Sequence, residues 1–281
     1  MEKLTLKPLS NEIIINNGAT EGAVDLFCYK PDDTVSRNLG ALYVVGHRND
    51  ETSNMGYMVS LIAALARREY YGQPGTPPRE AFTRTLRKAN EVVEEFFRSS
   101  DIKLSVGIIA VAGGQIMVSK LDKFKILLAR EEQVIDVLGN VALFTKEYSE
   151  RQRFSSVVHG SIQVGDRILA FVPTRGVTAR EKSLKNLFLT LDQTEFAHRL
   201  EELGQQHATF ATAMLHIDIT QTSEPALMPS PQPPELTQPV EVVAAPAPTP
   251  SLAWAPRQQS APIPDTHEYD APDTEVPHII S

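Results

Sequence analysis

The sequence predicts an α+β protein in which paired helices cover paired β-sheets. Three observations predict it. Apolar residues recur at a period of two in many short segments and at a helical period in only four. Those segments run in the order strands, two helices, many strands, two helices, one strand, and runs of this kind produce layered α+β architectures. The pattern stops near residue 222, where composition changes abruptly.

The first β-rich runs are KLTLK at 3–7, EIIIN at 12–16, AVDLFCY at 23–29 and ALYVVG at 41–46. A helix over about 54–71 follows, with Met55, Met58, Val59, Ile62, Ala63 and Ala66 on one face, Asn54 or Ser53 as cap and Gly72 as stop. A second helix opens after Pro77-Pro78 and runs to about Ser99, its inner stripe being Phe82, Leu86, Ala89, Val93 and Phe96 or Phe97. Strands return as KLSVGIIAVA at 103–112, QIMVSKL at 115–121 across a Gly113-Gly114 hairpin, FKILLAR at 124–130 and QVIDVL at 133–138. SIQV at 161–164 and DRILAFV at 166–172 come next. Shorter helices at about 179–191 and 193–205 precede a last strand at 210–219.

Residues 223–281 hold 14 of the 20 prolines and eight acids against Arg257 alone, a net charge of −7 within the whole-chain −8. With few large apolar groups such a segment cannot offset the entropy of ordering, so a disordered proline-rich acidic tail is expected after a folded domain spanning 1–222. Its PAPTP and PSPQPP stretches favour polyproline II. Its end, HEYDAPDTEVPHIIS, has the character of a docking peptide on a leash, the bland alternative being a solubilising tail.

The remaining body is close to neutral, which disfavours nucleic-acid binding. The single cysteine, Cys28, excludes an internal disulfide and a cysteine zinc cluster, and suits a reducing cytoplasm. The longest apolar window, MVSLIAALA at 58–66, is far short of the roughly 20 residues that cross a bilayer, so no membrane segment is expected.

Three stretches carry a resemblance: HGSIQVGDRILAFVPTRGVT, LYVVGHRND leading into a long helix, and AVAGGQIMVSKLDKFKILLAREEQVIDV. Over roughly residues 10–220 their order and spacing resemble the PPM-type (type 2C) metal-dependent protein phosphatases. The resemblance implies a four-layer αββα sandwich, two antiparallel sheets flanked by helical pairs. It also implies hydrolysis of phosphoserine or phosphothreonine by water bridging two Mg²⁺ or Mn²⁺ ions held by aspartates at strand ends.

Those aspartates are missing at the matching positions. The early Asn-Glu-Asp matches Thr20-Glu21-Gly22, the bridging Asp-Gly matches His47-Arg48, the Ser-Asp-Gly matches Val172-Pro173-Thr174, and the closing Asp-Asn-Ile-Thr matches Ala208-Thr209-Phe210-Ala211. Two divalent cations about 4 Å apart repel strongly even at an effective dielectric of about 20, and the bridging carboxylate offsets that repulsion. An imidazole and a guanidinium do not. The expectation is a degenerate member without metal or other cofactor, a pseudophosphatase working as a binding or regulatory module in cytoplasmic signalling, with a protein partner recruited by the tail.

Within the vestigial cleft, His47, Arg48, Asn49 and Asp50 either form a small polar site or cap the next helix, and Arg175 either completes an anion clamp with Arg48 or is an exposed loop residue. A phosphopeptide or acidic peptide is the ligand such a clamp suits. His159, His198, His207 and His216 lack ligand spacing and are taken as structural or surface groups. Two alternatives stay open: a divergent Mn- or Mg-dependent serine/threonine phosphatase using Glu21, Asp25, Asp50 or Asp122, and a structural subunit of an oligomer.

Overall fold

The computed structural model describes residues 4–16, 23–31, 34–48, 57–99, 103–139, 153–154, 156–207 and 210–223. The expected tail, with Thr20 to Gly22, Asn49, Asp50, Met55, Ala208 and Thr209, lies outside the described residues. Two five-stranded antiparallel sheets form the centre. One contains β1 (Leu4–Asn16), β10 (Ala211–Ser223), β9 (Arg167–Phe171), β6 (Lys125–Arg130) and β7 (Gln133–Asp136), in that order. The other contains β2 (Ala23–Tyr29), β3 (Ala41–Arg48), β4 (Leu104–Ala112), β5 (Gln115–Leu121) and β8 (Val158–Ser161).

Side-chain alternation sorts each strand into two faces. In β3, Ala41, Tyr43 and Val45 join Ile109, Val111, Ala170, Val172 and Leu215 in the core between the sheets. Leu42 and Val44 face the opposite way, toward α1 (Met58–Tyr71) and α2 (Pro78–Ser99), where Met58, Ile62, Phe82 and Val93 close a second core. On the far sheet Ile13, Leu127, Leu169 and Met214 pack against α4 (Glu181–Thr190) and α5 (Gln193–Gln206) through Leu184, Phe188, Phe196 and Leu200. A one-turn α3 (Arg175–Thr178) precedes them. The result is four layers, helices, sheet, sheet, helices, as expected.

Two strands read separately in the sequence are one. β1 pairs with β10 without interruption from Leu4↔Ser223 to Asn16↔Ala211, and Pro8 is accommodated because β1 is an edge strand. The strand expected at SIQV instead occupies Val158–Ser161, pairing with β5 from Gln115↔Ser161 to Val118↔Val158, while Ile162 turns into the inter-sheet core. Helix α1 begins at Met58, and its N-cap is Tyr57 rather than Asn54 or Ser53. The Gly113-Gly114 hairpin is as expected: both residues have positive φ, 56° and 76°, the backbone a tight two-residue β-hairpin demands.

Candidate functional site

The mapped corner sits at the end of β3. Gly46 faces α1, and a Cβ there would meet Val59 Cγ1 at 2.4 Å, so glycine lets the helix approach the strand closely. His47 takes the other face and is only 7% exposed. Its cross-strand neighbours are Val24 on β2 and Ser105 on β4. Ser105, equally buried, donates its Oγ proton to Asp122 Oδ2 at 2.9 Å. Asp122 follows β5 with a left-handed φ of 57°, where the chain leaves one sheet for the other. His47, Ser105 and Asp122 thus gather on the inter-sheet side.

Arg48 and Asp25 belong to the opposite face. Asp25 stands across from Gly46 and alternates with Val24 and Leu26, which point into the inter-sheet core. Burial pushes its carboxyl above the usual range, and the Arg48 guanidinium pulls it partly back. The sheet therefore separates Asp25 from Asp122, so these two candidate carboxylates of the divergent-enzyme alternative do not converge. Glu21 and Asp50 lie outside the described residues.

The facing corner is built by β9 and α3. Val172 is buried in the inter-sheet core, and the amide of Thr174 donates to Val172 O at 3.0 Å across Pro173. Thr174 caps α3: its Oγ1 accepts from Val177 N and donates to Ala211 O at 3.1 Å. A capped turn thus stands where the resemblance implies Ser-Asp-Gly. Arg175 is exposed at the first position of α3, a helix that packs on α4 and β10, so it is a helical and not a loop residue.

Sequence reasoning missed Ser105, whose place beside His47 depends on strand register. It also missed Lys125, opposite Phe171 on β6, which binds Glu181 at 2.7 and 2.8 Å and lies 3.8 Å from Asp136. No pattern along the chain signals either contact.

The donor chemistry decides whether the metal pair implied by the resemblance fits. Among the described residues no group of three or more His, Cys, Asp or Glu is arranged to hold a metal. The described strand-end groups are an imidazole, a guanidinium, a threonine hydroxyl and two carboxyls on opposite faces, Asp25 facing Arg48 and Asp122 accepting from serine. These residues do not fit a carboxylate-bridged pair of hard cations. The site can instead offer hydrogen bonds and positive charge to an anion.

Two titratable groups away from this corner are structural. Burial pushes the Cys28 thiol far above its ordinary value and Glu12 pushes it further, which removes nucleophilic character. His216 is fully buried, edge-on to Phe188 and Phe196 at 5.3 and 5.4 Å, with Nε2 3.1 Å from Asp218 Oδ1. No helix among the described residues is long and apolar enough to cross a membrane.

Neither a family model nor a curated relative matches the sequence. Solved structures do. PppA of Pseudomonas aeruginosa, described as a key regulatory component of T6SS, superposes with a TM-score of 0.55 at 16% identity, covering 77% of this chain and 100% of that one. The catalytic domain of the serine/threonine protein phosphatase PstP, solved with two manganese ions, gives 0.54 at 14% identity over 78% of this chain and 100% of that one. The phosphatase domain of SpoIIE from Bacillus subtilis gives 0.51 at 13% identity over 83% and 100%. Sheet order, helical layers and these superpositions agree that the chain has the fold of the PPM-type serine/threonine phosphatases.

Proposed function

We propose that the chain is a PPM-fold module without a bimetallic centre, acting in the cytoplasm as a binding or regulatory protein. The observation that supports this most is the pair His47-Arg48 at the end of β3, with Asp25 turned toward Arg48 and Asp122 committed to Ser105. A guanidinium in that corner neutralises the carboxylate nearest to it and repels divalent cations. It retains the capacity to hold a phosphopeptide or another acidic peptide. The tail from residue 223 recruits a partner protein in this reading.

Calorimetric titration with Mn²⁺, paired with p-nitrophenyl phosphate turnover, tests the proposal. Expected are no stoichiometric Mn²⁺ binding and turnover equal to a heat-denatured control. Binding of two Mn²⁺ per chain with turnover well above that control would establish the competing reading, a divergent Mn- or Mg-dependent serine/threonine phosphatase. Asp122, a carboxylate at the inter-sheet end, is what favours that second reading.

A further inference from the structure

Helix α1 carries no charged residue before Arg67, because its first nine positions are MVSLIAALA. Met58, Val59, Ile62, Ala63 and Ala66 go into the core. Leu61 and Ala64 are exposed on the outer face, 36% for Leu61, and Tyr57, one turn before Leu61, is 52% exposed. The neighbouring helix is different: among its described side chains, up to Glu95, the exposed positions of α2 are Arg79, Glu80, Thr83, Arg87, Lys88, Glu91 and Glu95, all polar. A surface helix ordinarily looks like α2, and apolar surface left outward on one helix alone marks a contact face.

This stripe runs into a groove of about 480 Å³ whose walls include Tyr29, Lys30, Arg67, Arg68 and Tyr71. Arg67 lies over the Tyr29 ring at 5.4 Å, and Arg68, with a side chain 74% exposed, pairs with Glu69 at 3.0 Å. An exposed pair of that kind contributes little and exchanges readily for a ligand carboxylate. Among the described lining residues the charged groups are Lys30, Arg67 and Arg68, all cations.

We infer that the outer face of α1 and the adjoining arginine groove form a docking surface for a short peptide segment of a partner protein that joins apolar anchors to an acidic flank. The size of the stripe argues for a peptide rather than a second copy. From Tyr57 to Leu65 a helix advances only about 12 Å, far too little for the roughly 800 Å² per partner that a stable dimer buries. The arginines supply the complementary charge, and the two tyrosines offer flat apolar walls beside it. The inference uses none of Asp25, His47, Arg48 or Asp122, so it stands or falls independently of the metal-free reading.

A random peptide display library selected on the immobilised full chain tests this. Expected are enriched sequences combining spaced apolar residues with two or more Asp or Glu. A resynthesised peptide should then bind, by fluorescence anisotropy, roughly tenfold more weakly to Leu61→Asp and to the Arg67→Glu, Arg68→Glu pair. Both variants are to be compared with the parent by circular dichroism and melting, with Leu61→Gln as the milder substitution if Leu61→Asp fails to fold. The inference is overturned by an absence of enrichment, by enrichment without acidic bias, or by binding indifferent to these substitutions. Light scattering that shows a dimer dissociated by the Leu61 substitution would overturn it as well, by assigning the face to a second copy.

Discussion

At residue scale, Asp25 and Arg48 give the most direct test of how the rebuilt corner is balanced. Asp25 is held above the usual carboxylate range by burial, so its ionised form is a cost at neutral pH that Arg48 reduces. For an acid whose pKa is raised on folding, the cost is present above the folded pKa and disappears as the proton is taken up. Arg48→Gln is therefore expected to destabilise the chain at pH 7, with the loss shrinking as pH falls through the carboxylate range; urea titrations across that range measure it. Gly46 gives a steric test in the same place. Gly46→Ala drives a methyl group into Val59 and is expected to cost about 1–3 kcal/mol in the same titrations. Glu181 has the opposite sign: hydrogen bonds from Lys125 and then Lys185 hold it below its ordinary value. Its contribution is full above the ordinary carboxylate value and is lost as pH falls through the depressed one. Lys125→Met should flatten the acid limb of the stability profile.

At the scale of elements, caps and close approaches fix what periodicity leaves open. Asp192 caps α5 by accepting from Thr194 N and Glu195 N at 2.8 and 2.9 Å, and Asp192→Ala is expected to lower stability by about 1 kcal/mol in chemical denaturation. Strands such as β2 and β5 were legible to the residue because each is a compact β-rich run with clear boundaries in the sequence. The cores of α1 and α2 were legible too, since Val59, Ile62, Phe82 and Leu86 all fall on the expected faces. The joining of the first two runs into β1 was not, because Pro8 reads as a break and only the pairing with β10 overrides it. β8 was displaced because its residues, Val158 to Ser161, are largely exposed and carry no apolar alternation. In the site, His47 and Arg48 could be found from their place after an apolar strand. Ser105 could not, because one register shift would remove it from His47 altogether.

At the scale of the molecule, charge and composition change close to the last described strand. The described body ends with β10 at Ser223. A chain cut after Ser223 is expected to keep the melting temperature and circular dichroism of the full chain, because the deleted residues are proline-rich and acidic and offer few apolar groups to bury. A fall in melting temperature of several degrees on truncation would show that the tail contributes to the folded core.

The pairing of Leu4 with Ser223 brings the beginning and end of the folded body side by side on one sheet edge. Nearly the whole domain must be synthesised before its first strand finds its neighbour, so ring closure across more than two hundred residues governs the folding rate. The same adjacency makes the body a natural circle: joined there by a short linker and reopened at the Gly113-Gly114 hairpin, it keeps every layer with its connectivity rewired.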